Sequence, residues 1–169
     1  MDHRKLLCLL LGLITLPAIA SAANTLVDAL GDANSTVFGA ALNLTSTYAG
    51  LLVNGKFKGT ILAPTDDAFA VYITSLGISP TSLMAQTVLI QQVLDLHFIP
   101  DVNVSLATVQ DGAKFTTKNG ENTIKVQKFS NGTVTFVSAN STATALYEYN
   151  IGGVDSGRAC ILHTKDFSS

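Results

Sequence analysis

The chain has 169 residues, 47% of them apolar and only 13% charged, with a formal net charge of −2. That length suits one domain with a sizeable core. A slightly acidic balance without a basic cluster argues against nucleic acid or other polyanions as partners.

The first element is a targeting segment. Arg4 and Lys5 precede an apolar run, Leu6 to Leu16, followed by Pro17 and the small residues Ala20-Ser21-Ala22. This is the order of a cleavable secretory signal peptide, so residues 1–22 are expected to be removed and residues 23–169 to form a single exported domain. The run is about half the roughly 20 apolar residues a spanning helix needs, and no later stretch is long enough, so no membrane span is expected. The last residues, Lys165 to Ser169, carry no apolar tail of the kind that directs a GPI anchor.

Export agrees with two further features. Cys8 leaves with the signal segment, so Cys160 is the one cysteine of the exported domain, and an intramolecular disulfide is impossible. Cys160 lies in the apolar stretch Ala159 to Leu162 and reads as a buried structural thiol. Asn34, Asn43, Asn103, Asn131 and Asn140 each open an Asn-x-Ser/Thr acceptor pattern, which implies a glycoprotein.

Short amphipathic helices come first. Asn24 can cap a turn carrying Leu26, Val27 and Leu30, and Ser35 or Thr36 a second helix with Val37, Phe38, Ala41 and Leu42. Tyr48, Leu51, Leu52 and Val53 continue the pattern until Asn54-Gly55 breaks it. Gly59 to Ala63 then reads as a buried strand ended by Pro64. Thr65 is placed to cap the next helix, with Asp66 and Asp67 in its first turn, where carboxylates suit the dipole. Phe69, Ile73 and Leu76 form its inward stripe and Gly77 stops it. Pro80 and Thr81 open another helix, with Leu83, Val88, Leu89 and Val93 facing the core, which runs into Leu94 to Pro100.

The remainder alternates like a sheet. Turn dipeptides stand at Asp111-Gly112, Asn119-Gly120 and Asn131-Gly132. Ile124 and Val126, then Val134 and Phe136, alternate with polar neighbours, one dry face and one wet. Glycines at 152, 153 and 157 precede a last apolar strand, Ala159 to Leu162. Helices followed by an antiparallel sheet make one α+β domain.

The segment Thr60-Ile61-Leu62-Ala63-Pro64-Thr65-Asp66-Asp67-Ala68-Phe69 resembles the first signature block of fasciclin domains: a strand ending in Ala-Pro-Thr-Asp, a spacer, then Ala-Phe. Leu94 to Pro100 looks like the family's central motif, with Leu96 before His97 where Tyr or Phe is usual. Gly157 to Leu162 resembles the second signature, with Cys160 where a His is usual. The resemblance implies a wedge of antiparallel β-strands with several short helices packed at one side. It makes Ala63, Pro64, Thr65, Asp66, Phe69 and Gly157 structural signature residues, and Leu96, His97 and Phe98 candidate binding residues. The signal peptide and glycan acceptors are similar to those of the plant and algal members. It also implies a role in cell adhesion or in organising an extracellular matrix or cell wall. The partner would then be matrix, wall polysaccharide or a cell-surface protein.

No catalytic constellation emerges beside this. Asp66 and Asp67 are adjacent on a helix, about 100° apart, so their carboxylates do not converge on a substrate. His97 between Leu96 and Phe98 reads as a core histidine. Cys160 and His163 have half of a zinc-site spacing, and only His97 could join them. No nucleophile elbow and no phosphate loop occur, so neither an enzyme nor a cofactor or metal site is expected. A second reading of the apolar content is a carrier of a small apolar ligand, in a pocket between the helices and the sheet.

Overall fold

A computed structural model describes residues 21–23, 25–54, 57–139, 141–151 and 158–166, of which 21–23, 51–54 and 158–166 are described by their backbone alone. Six helices and eight strands follow one another as β1(Ser21–Ala23), α1(Leu26–Asp32), α2(Thr36–Leu44), α3(Ser46–Asn54), β2(Gly59–Pro64), α4(Asp66–Ser75), α5(Pro80–Met84), α6(Thr87–Leu96), β3(Phe98–Pro100), β4(Lys114–Thr116), β5(Thr123–Lys128), β6(Val134–Ser138), β7(Ser141–Ile151) and β8(Arg158–Asp166). This is the α+β arrangement the sequence implies. The signature residue Gly157, the cysteine-bearing strand's side chains and Asn140 lie outside what is described.

One sheet takes all eight strands in the order β3-β2-β8-β7-β6-β5-β4, with β1 beside the end of β7. The pairs are antiparallel except β2 with β8 and β1 with β7. The strand β1 includes Ser21 and Ala22, which the expected signal segment also covers. The sheet curls: Leu62 and Ile99 at one end pack in a single cluster with Ile124, Val126, Val134 and Phe136 from the other. A backbone hydrogen bond from Lys118 N–H to the Phe98 carbonyl, 2.8 Å, ties the two ends. The second core lies outside the curl, where Phe38, Leu42, Tyr48, Leu83, Ile90 and Leu94 of the helices cover Ile61 and Ala63. β2 is therefore buried on both faces, which explains a continuous apolar run rather than an alternating one.

Several local expectations change once packing is visible. Thr25, not Asn24, caps α1, exchanging hydrogen bonds with Asp28 in a capping box of 3.0 and 3.1 Å. Val27 is consequently exposed and Ala29 takes the inner position. The helix expected from Pro80 onward is two helices. Gln86 restarts the chain as the cap of α6, whose phase is set by Ile90, Val93 and Leu94, so Val88 is turned away and 74% exposed. Leu76 is likewise exposed, because it is the C-cap of α4, just ahead of the left-handed Gly77.

In the sheet, β5 alternates as expected, but Thr135 of β6 is buried between its cross-strand neighbours Gln127 and Thr144. Asp111-Gly112 is not a hairpin turn. It docks on β5, with Gly112 N–H donating to Val126 O and the Asp111 carboxylate accepting from Lys128 N–H. The sequence gives no sign of the eleven-residue β7, and a bulge explains why. The register against β8 shifts between Ala145 and Tyr147, reversing the alternation midway. Past the bulge Tyr147 points out, while Glu148 is only 3% exposed and accepts from Leu106 N–H at 2.7 Å and the Ser105 hydroxyl at 3.3 Å.

Candidate functional site

The strand-to-helix corner between β2 and α4 organises the centre of the molecule. Thr65 caps α4 by accepting from Ala68 N–H at 3.2 Å. The Asp66 carboxylate serves a different helix from its own: it accepts from Val37 N–H at 2.8 Å and the Thr36 hydroxyl at 2.7 Å, at the start of α2. Ser35, whose side chain makes no cap bond, instead donates to Pro64 O at 2.6 Å, and Asp66 N–H donates to Asn34 O. The corner thus bolts α2 to β2, and the two adjacent carboxylates have separate surroundings, Asp67 being exposed. Ala63 and Phe69 lie in the helix-side core.

The central motif splits by function. His97 is the C-cap of α6. Its Nδ1 lies 2.7 Å from Val93 O, so that nitrogen carries the proton, since a carbonyl can only accept. The His97 carbonyl accepts from Leu62 N–H at 2.8 Å, joining α6 to β2, and its ring is tilted against Phe38 at 5.6 Å. Leu96 is exposed. Phe98 points the other way, into the helix-side core, in edge contact with Tyr48 and Phe57 at 6.0 Å each. The three candidate residues therefore do not form one surface: Leu96 and His97 share an opening that Phe98 does not reach.

Beneath Phe98 lies a polar cluster with no local trace in the sequence. The Tyr48 hydroxyl donates to Asp95 Oδ1 at 2.5 Å, Gln91 donates to the same oxygen at 3.0 Å, and Lys118 Nζ stands 3.8 Å from it. The same ammonium lies over the Tyr48 ring, 4.4 Å from its centroid. Burial first, then the hydrogen bond and charge of Asp95, hold the Tyr48 phenol protonated well above its usual range.

The opening shared by Leu96 and His97 is a cavity of about 360 Å³ between α4, the end of α6 and the inner face of the curl. Its floor is apolar and buried: Leu62, Phe69, Val93, Ile124 and Phe136. Its rim is polar, with Asn122 of the β4–β5 turn on one side and Ser138 and Ser141 of the β6–β7 turn on another. These residues span more than seventy positions, so no sequence window could reveal the set.

Among the described residues no three His, Cys, Asp or Glu side chains converge as a metal site would require. No helix among them is long and apolar enough to cross a membrane. Asn34, Asn43, Asn103 and Asn131 are all exposed.

The comparisons with known proteins agree with this architecture. A family model for the fasciclin domain matches residues 21–151, from the first residue of β1 to the last of β7. Gly157 to Leu162, which resembles the family's second signature, lies beyond that match. No curated protein matches the chain in sequence. A solved FAS1 domain pair from the insect cell adhesion molecule fasciclin I is similar in fold, with a TM-score of 0.55 at 14% identity. The likeness covers 79% of this chain and 45% of that one. With a model match over well over half its length, and the Ala63 to Phe69 corner inside it, the chain belongs to the fasciclin domain family.

Proposed function

We propose that the protein is an exported interaction module acting in cell adhesion or in the organisation of an extracellular matrix or cell wall. The observation that carries this reading is family membership across residues 21–151. The solved structure it resembles comes from a molecule described as a cell adhesion molecule. Four exposed acceptor asparagines are compatible with glycans on several faces, leaving bare protein between them for matrix, wall polysaccharide or a cell-surface protein. His97 belongs to the scaffold in this reading, since both its ring and its carbonyl tie α6 in place.

The test is binding of the immobilised protein, as secreted by its own cells, to matrix and wall fractions and to intact cells. Saturable binding to one of these is expected; its absence from all of them would refute the proposal. His97→Ala should lower the melting temperature and the binding together. Binding lost at unchanged stability would make His97 a contact residue instead.

A second reading, a carrier of a small ligand, is favoured by one specific observation, the apolar-floored cavity. Such pockets of about 300–1,000 Å³ with few polar groups are where small molecules bind.

A further inference from the structure

The cavity's lining goes further than its existence, because it restricts the chemistry of what could fill it. Among the described lining residues there is no Lys, Arg, Asp or Glu. The ionisable groups that face it are His97, whose Nδ1 proton is engaged by Val93 O, and the phenol of Tyr72. A carboxylate, phosphate or ammonium seated on the floor of Leu62, Phe69, Ile124 and Phe136 would lose its water without gaining a counter-charge, which is strongly unfavourable. A wholly apolar guest would desolvate the rim instead.

The rim has groups to offer. Ser138 Oγ and Ser141 Oγ are 2.8 Å apart, and Ser138 also lies 3.3 Å from Ser141 O. With Ser138 donating within that pair, the Ser141 hydroxyl proton is left for a third partner. Across the opening, Asn122 holds its turn through its backbone: its N–H donates to Asn119 Oδ1 at 3.1 Å and its carbonyl accepts from Thr117 N–H at 3.0 Å. Its carboxamide, both donor and acceptor, is not needed for those bonds. Size is the other limit. At about 30 Å³ per water in the liquid, 360 Å³ corresponds to about a dozen non-hydrogen atoms, somewhat more when they are covalently packed.

Building on the carrier reading, we propose that this cavity binds a neutral amphipathic small molecule. Its compact ring or branched body, about 11–18 non-hydrogen atoms in all, lies on the floor, and one hydroxyl or amide group meets Asn122 and Ser141 at the rim. Hydroxylated aromatics and terpenoid-sized alcohols have this chemistry.

Three probes separate the parts of the proposal: 2-naphthol, naphthalene and 2-naphthoate at pH 7, each titrated against the purified protein. The chain has no tryptophan, so naphthol fluorescence can be read without that background. The expected result is saturable binding of 2-naphthol, weaker binding of naphthalene, and at least about tenfold weaker binding of 2-naphthoate. Ala143→Leu, which fills the cavity from β7, should weaken 2-naphthol at least about tenfold without lowering the melting temperature. Ala139→Trp, at an exposed turn position on the mouth, gives the same readout should the strand substitution disturb folding. Ser141→Ala and Asn122→Ala should weaken 2-naphthol severalfold and leave naphthalene unchanged.

Naphthoate binding as tightly as naphthol would overturn the neutral-ligand assignment while leaving the carrier reading intact. Naphthol binding that neither cavity-filling variant changes would place the probe elsewhere and overturn the site. Failure of all three probes to bind would overturn the carrier reading, and this proposal with it.

Discussion

Replacing Tyr48 by Phe removes one hydroxyl from a side chain that is 1% exposed, and its consequence depends on pH in a calculable way. At neutral pH the lost bond is one to a carboxylate, worth about 1.5–3 kcal/mol. The lower end is expected, because Asp95 keeps Gln91 at 3.0 Å and Lys118 at 3.8 Å. In the unfolded chain the phenol titrates near 10, whereas in the fold burial and Asp95 keep its proton well beyond that. Above pH 10 the unfolded state therefore binds fewer protons than the native one, and stability falls as pH rises. The slope is about 1.4 kcal/mol per pH unit from this group alone, and the phenylalanine variant lacks it. The gap between the two proteins should stay constant below pH 9.5 and close near pH 11–11.5. Urea unfolding followed by far-UV circular dichroism at a series of pH values measures it, and the other tyrosines and lysines cancel in the difference. A gap that stays constant through pH 11.5 would refute the claim that the fold protects this proton.

Asp66→Ala should destabilise by about 1–2 kcal/mol through loss of the α2 cap, and Asp67→Ala by no more than about 0.5 kcal/mol. Equal effects in chemical denaturation would contradict the division of labour at the corner. Gly59→Ala should cost more than about 3 kcal/mol or prevent folding, since φ is +130° and the new Cβ would lie 2.2 Å from Ile99 O. A soluble variant with an unchanged melting temperature would show that β2 and β3 do not pair this closely. Lys128 Nζ gathers the carbonyls of Leu106, Ala107 and Val109 at 3.0–3.3 Å. Lys128→Met should therefore speed hydrogen exchange in residues 105–109 selectively, and unaltered exchange there would remove that role.

The elements that were legible in the sequence are those whose signal is local. β2 announces itself by an apolar run between Gly59 and Pro64, α4 by its Thr65 cap, and β5 by strict alternation. Caps, turn glycines and periodicity act within a few residues, so the α+β class and the corner motif follow from them. Even Asp66 was legible only as a helix-start residue; which helix it starts was not.

What tertiary structure alone decided are the relations between distant segments. The bulge near Leu146 cancels the alternation of β7 over its length, so the longest strand of the sheet left no pattern to read. Tyr48, Asp95 and Lys118 meet because the sheet curls and brings the β4–β5 turn back to β3, an encounter with no signature in any window. The cavity is of the same kind: α4, α6 and two turns of the sheet each supply a few ordinary side chains. Local sequence determines which backbone each segment prefers, whereas a site of this sort exists only where long-range packing leaves space between segments.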